Sequence, residues 1–141
     1  MILLDILGGK KSERGICEDA FWFALKTLMP NKKRLDVEIM LTNIPDDADG
    51  YHLCTDKYTH TIEIQKGQNL DDLLTCLFHE MVHVRQAERG QLIDSGFTKT
   101  WEGTDYISIF STIDEYRNLP WEAEAYRLQE ELLVKWKKNT K

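Results

Sequence analysis

The residues from Asn69 to Gly90 constrain this chain more than any other segment. Leu70, Leu73, Leu74, Leu77, Phe78, Met81 and Val82 recur at helical spacing and build a broad apolar face that must be buried. Asn69 is a good N-cap, Asp71 and Asp72 suit the positive N-terminal end of a helix, and Gly90 closes the run. The same helix carries His79-Glu80-Met81-Val82-His83. Histidines four residues apart project from one face about one turn apart, so both imidazoles can reach a single zinc ion. Glu80 is angled beside that face, within reach of a metal-bound water. There it is expected to take a proton as the water attacks a polarised carbonyl and to pass it to the leaving amine. The pattern predicts a Zn2+ site with His79 and His83 as ligands and Glu80 as general base and acid. Two hydrogen-bonded histidines at the edge of a core would be the alternative.

The rest of the chain reads as alternating short elements. Residues 1–10 are briefly apolar, but they lack a basic leader and Asp5 interrupts them, so they read as a strand or packing segment rather than a secretory signal. A first helix is expected from Cys17 to Met29, with Pro30-Asn31 stopping it before the basic turn Lys32-Lys33-Arg34. Leu35 to Leu41 reads as a strand, Asn43 to Gly50 as a polar turn, and Tyr51 to Cys54 and Tyr58 to Gln65 as two further strands. Gln91 to Ile113, with Phe97, Trp101, Tyr106, Phe110 and two glycines, reads as an ordered but mostly irregular connection whose length suggests function. A last helix is expected from Pro120 through Lys137, its basic end at Lys135 to Lys141 facing the negative pole of the helix dipole. One domain spanning residues 1–141 is the expectation for this length.

Composition removes several function classes. A formal net charge of -6 opposes attraction to phosphate backbones, so direct nucleic-acid binding is not expected. No apolar run approaches the roughly 18 residues that a membrane span needs. Cys17, Cys54 and Cys76 are an odd number at wide spacings, which fits reduced thiols and a cytoplasmic location. Cys76, one turn before His79, could bind metal, but a small core residue is the commoner case.

A catalytic zinc needs a third protein ligand and an open position for water. No histidine follows His83, so the ligand is either a downstream carboxylate or an upstream residue such as His52 or His60. On the last helix the apolar arc comprises Trp121, Ala125, Leu128, Leu132 and Trp136. Glu122 falls inside this arc, whereas Glu124 falls nearer the solvated side. A carboxylate directed into packed surroundings needs a cation to offset desolvation, which selects Glu122 as the third ligand. Pairing of Glu122 with Arg85 or Arg117 is the competing possibility.

HExxH followed by a glutamate on a later helix resembles the gluzincin metallopeptidases, especially their compact minigluzincin and SprT-like members. The resemblance spans roughly residues 58 to 130. Its parts are the strand Thr59 to Gln65, His79-Glu80-Met81-Val82-His83, the Trp101-Glu102-Gly103 and Tyr106 segment, and Leu119-Pro-Trp-Glu-Ala-Glu-Ala-Tyr126. It implies an α+β, zincin-like fold: a small mixed sheet packed on an N-terminal helix and the HExxH helix, followed by a C-terminal helix. It also implies Glu122 as the glutamate ligand, with Ala125 in its usual place. Tyr126 stands where such enzymes carry an Asp or Asn that orients a ligating histidine. By the same resemblance, Tyr58 to Gln65 would be the sheet edge that pairs with a peptide or protein substrate. Tyr106, Tyr116 or Tyr126 would donate a phenol to the developing oxyanion, with Tyr106 preferred. A binding module that uses the same metal scaffold to capture a protein partner is the alternative to an enzyme.

Overall fold

The computed structural model describes residues 1–45, 48–95, 98–107 and 112–140. Asp46 and Asp47 of the expected polar turn, Gly96, Phe97 and Phe110 of the long connection, and Lys141 lie outside the described residues.

The architecture is α+β. Strands β1 (Ile2–Gly8), β2 (Leu35–Thr42), β3 (Gly50–Asp56) and β4 (Thr59–Gln65) form a mixed sheet in the order β1-β2-β4-β3. β1 pairs parallel with β2, and β2 with β4, while β3 runs antiparallel to β4. A parallel pair needs a long crossover, and helix α1 (Lys11–Leu28) supplies it between β1 and β2. β2 and β4 alternate strictly, burying Leu35, Val37, Ile39 and Leu41 on one strand and His60, Ile62 and Ile64 on the other. The opposite face is left open, with Leu3, Leu7 and Leu53 exposed.

Helix α2 (Leu70–Glu88) packs with α1 on the buried face of the sheet. The Asn69 side chain accepts a hydrogen bond from the Asp72 amide at 2.9 Å, as an N-cap should. The last helix, α4 (Pro120–Asn139), packs on α2, and its Trp136 ring meets Phe23 and Phe78. Chain reversal at Gly8 requires glycine. Its φ is +81°, and a Cβ would stand 2.1 Å from the Leu41 carbonyl oxygen.

Three expectations are corrected here. The first helix begins six residues before Cys17, because Glu13 closes its open end: Oε1 accepts from the Lys10 amide at 2.8 Å, and Oε2 from the Gly67 amide at 2.9 Å. The polar first turn carries no apolar period from which it could be read. Secondly, β4 is paired on both sides and is no sheet edge; the edge beside α2 is β3. Thirdly, the connection after α2 contains structure. β5 (Leu92–Asp94), β6 (Thr98–Trp101) and β7 (Thr104–Ile107) form a small antiparallel sheet, and a short helix α3 (Ile113–Arg117) follows. Strands of three and four residues rich in Thr, Asp and Lys have no hydrophobic alternation. No helix among the described residues is long and apolar enough to cross a membrane.

Candidate metal centre

α2 and α4 meet so that His79 and His83 face Glu122 in the first turn of α4. Pro120 begins that helix, which places Glu122 near the positive end of its dipole. His79 Nε2 lies 3.0 Å from Glu122 Oε1, and His83 Nε2 lies 3.2 Å from Glu122 Oε2. Side-chain exposures are only 12%, 8% and 4% for His79, His83 and Glu122. Ligands at zinc distances of about 2.0–2.1 Å in a tetrahedron stand roughly 3.3 Å from one another. The observed separations are within a few tenths of that edge. Among the described residues this is the single cluster of His, Cys, Asp and Glu compact enough to hold a metal ion.

Hydrogen bonds behind the imidazoles decide what their front atoms are. His83 Nδ1 lies 2.8 Å from Gln86 Oε1, and His79 Nδ1 lies 2.7 Å from Gln129 Oε1. The Gln86 amide cannot be reversed, since its Nε2 donates to the Trp121 carbonyl at 3.0 Å and to Glu124 Oε1 at 3.1 Å. Gln129 Nε2 likewise donates to Glu130 at 3.2 Å. Both histidines therefore carry their proton on Nδ1 and present Nε2 lone pairs. Two lone pairs and a carboxylate converging on one point repel one another unless a cation or protons stand between them. Without a metal, His83 takes up a proton. Burial alone would lower its pKa, but the Glu122 hydrogen bond and the charges of Glu80 and Glu122 outweigh this and raise it to about 9. Glu122 is held far below the usual carboxylate range by both histidines, despite its burial.

Glu80 points the other way, towards β3. It is 5% exposed, and burial raises its pKa, with a further push from the Glu122 charge and opposition from His83 and His79. β3 approaches so closely that a Cβ on Gly50 would lie 3.2 Å from Glu80 Oε2. Two residues on, His52 stands beside His83, the rings nearly parallel at 6.2 Å.

The remaining candidates separate clearly. Burial pushes the Tyr116 phenol upward, and the Glu122 charge nearby adds to it. Tyr126 packs edge-on against His79 at 4.7 Å, under the Arg117 guanidinium. Tyr106 lies on β7 with its ring edge against Trp121 at 5.3 Å. His60 and His52 are hydrogen-bonded to each other outside the ligand cluster. Cys76 lies 3.7 Å from Gln68, with burial raising its thiol to about 11. Arg85 pairs with Glu124 at 3.5 Å, not with Glu122. Glu124 is thus half-buried as a partner of Gln86 and Arg85, correcting the expectation that water solvates it.

Sequence reasoning missed Gln86 and Gln129. Their signal was available: Gln86 follows His83 by three residues and Gln129 follows Glu122 by seven, which puts each polar side chain on the site face of its helix. No protein-family model matches the chain, and neither does any curated protein or solved structure.

Proposed function

We propose that this chain is a zinc-dependent metallopeptidase of the gluzincin type on a compact zincin-like fold, hydrolysing peptide bonds. His79, His83 and Glu122 would hold the ion, which supplies a Lewis acid and a bound water acidic near neutral pH. The observation that carries this reading is the convergence of the His79 and His83 Nε2 atoms on the Glu122 carboxylate, with a buried glutamate alongside. The donor set suits zinc, which favours four-coordinate sites of nitrogen and oxygen ligands and in catalytic sites leaves one position open.

Each protein group then has a task. Glu80, with its pKa raised by burial, accepts a proton from the attacking water and returns it to the leaving amine. Gln86 and Gln129 hold the ligating imidazoles in one tautomer and orientation. Tyr116, close enough for the Glu122 charge to act on its phenol, is better placed than Tyr106, which packs on Trp121, to donate to the carbonyl oxygen as charge develops there. The side of β3 away from β4, on which no strand among the described residues pairs, lies beside Glu80 and His83 and would offer backbone groups to an extended peptide.

The test combines metal analysis with hydrolysis of a peptide library. The wild type is expected to bind one zinc ion and to cleave, and removal of zinc by a chelator should abolish cleavage. Glu80→Gln should retain zinc while cleavage falls at least about 100-fold. Undiminished cleavage by Glu80→Gln or by the zinc-free protein would overturn the reading. Stoichiometric zinc without cleavage of any peptide would favour a metal-dependent binding module instead.

A further inference from the structure

A second set of polar side chains runs through the core to the metal centre and takes no part in holding the metal. Lys32 Nζ forms an ion pair with Glu88 Oε1, whose other oxygen lies 2.6 Å from His60 Nε2. His60 Nδ1 lies 2.9 Å from His52 Nε2. His60 is 1% exposed, and the Glu88 side chain 6%. Burying such a line costs desolvation that apolar residues in the same places would avoid.

Hydrogen-bond direction along the line follows from its outer end. Burial alone would raise the Glu88 pKa, but the hydrogen bonds from Lys32 and His60 outweigh it and lower it, so Glu88 is an ionised acceptor. His60 Nε2 must then carry the proton. Burial lowers the His60 pKa and keeps the ring neutral, so its Nδ1 is a lone pair. His52 Nε2 must therefore donate to it, which leaves His52 Nδ1 as a bare acceptor. The two nitrogens of an imidazole point away from each other, so Nδ1 looks away from His60. Nothing among the described residues hydrogen-bonds to it. His52 sits on the helix-facing side of β3, two residues from the glycine that touches Glu80, with its ring 6.2 Å from that of His83.

We propose that His52 is a ligand-contacting residue of the metal centre, held as an Nδ1 acceptor by Lys32, Glu88 and His60, and that it recognises an N–H group on a molecule bound at the metal. This rests on the zinc reading above and adds a recognition element to it. A bare nitrogen acceptor favours donors and disfavours carbonyl and carboxylate oxygens at the same place, so it reads the amide side of a peptide. His60, Glu88 and Lys32 are positioning residues that act through His52.

Two zinc chelators that differ in one group test this. Acetohydroxamic acid and N-methylacetohydroxamic acid bind metal through the same two oxygens, but only the first carries an N–H. The affinity ratio between them, measured on zinc-loaded wild type, is expected to fall about five- to tenfold in His52→Phe, the worth of one net hydrogen bond. Zinc affinity itself should change less than threefold. Glu88→Gln provides the second variant, because a glutamine amide can donate to His60 Nε2 and allow the whole line to reverse. Two-bond proton–nitrogen NMR spectra of the four histidines report this directly. Wild type should show His52 protonated on Nε2 alone. Glu88→Gln should shift protonation towards Nδ1, with the N–H preference falling in step, a coupling that a merely structural line would not produce. A wild-type His52 protonated on Nδ1, or a ratio unchanged by His52→Phe while zinc binds, overturns the inference and leaves the metal centre intact. Failure of the wild type to take up zinc overturns the proposed function, and this inference with it.

Discussion

Gln86 and Gln129 show how much of the candidate metal centre lies behind the residues that would hold an ion. A histidine free to choose its tautomer spends part of its time with a proton on the nitrogen that would face a metal. Here Gln86 removes that choice for His83, and its own orientation is set by Trp121 and Glu124. Gln86→Ala is therefore expected to weaken zinc binding about 10- to 100-fold without removing a ligand, measurable by competition with a chelator. On the proposed reading, zinc would also have to displace the proton that His83 carries without a metal. Because burial is outweighed by the surrounding carboxylates and the His83 pKa stands at about 9, zinc affinity should rise by roughly tenfold per pH unit from pH 7. It should level off near pH 9. Affinity flat across this interval would show that no proton is displaced.

At the scale of elements, the relation between β3 and α2 would govern the proposed chemistry. Gly50 stands over Glu80, His52 beside His83, and both lie on the helix-facing side of the same strand. Gly50 is tolerant of nothing larger without movement of the glutamate, since a Cβ would also come 3.2 Å from the Glu63 carbonyl oxygen. Gly50→Val should displace the Glu80 carboxylate by about 1 Å and lower kcat roughly 100-fold, while zinc content stays at one per chain. Equal loss of zinc and of activity would place the damage in the fold rather than at Glu80. α2 itself was legible, from cap to closing glycine, because a long amphipathic helix repeats its signal over five turns. The short strands β5, β6 and β7 were not, because three or four residues with both faces partly wet leave no periodic trace.

For the whole molecule, Glu88 ties together the connection after α1, the end of α2 and the middle of the sheet through Lys32 and His60. Its carboxyl is held below the usual range by those hydrogen bonds, in spite of burial. A depressed native pKa stabilises the folded state fully above the unfolded pKa near about 4.5, and that contribution is lost as pH falls through the lowered value. Glu88→Gln should thus destabilise the protein by about 1–3 kcal/mol at pH 7 in urea denaturation. The gap from wild type should close as the pH is taken below about 4. A gap that stays constant from pH 7 to pH 3 would mean the carboxylate charge contributes nothing.

Local pattern by itself pointed to the HExxH helix, to His79 and His83 on one of its faces, and to Glu122 rather than Glu124 as the carboxylate facing them. Each of these depends on angular spacing within one helix, and spacing is written in the sequence. What only the tertiary structure decided is which separate elements meet. Gln129 of α4 holds His79 of α2, β3 rather than β4 forms the edge beside Glu80, and Tyr116 rather than Tyr106 lies near enough to feel the Glu122 charge. Those pairings join residues as much as 50 positions apart. They follow from how apolar faces pack around a common core, and no single segment carries that information.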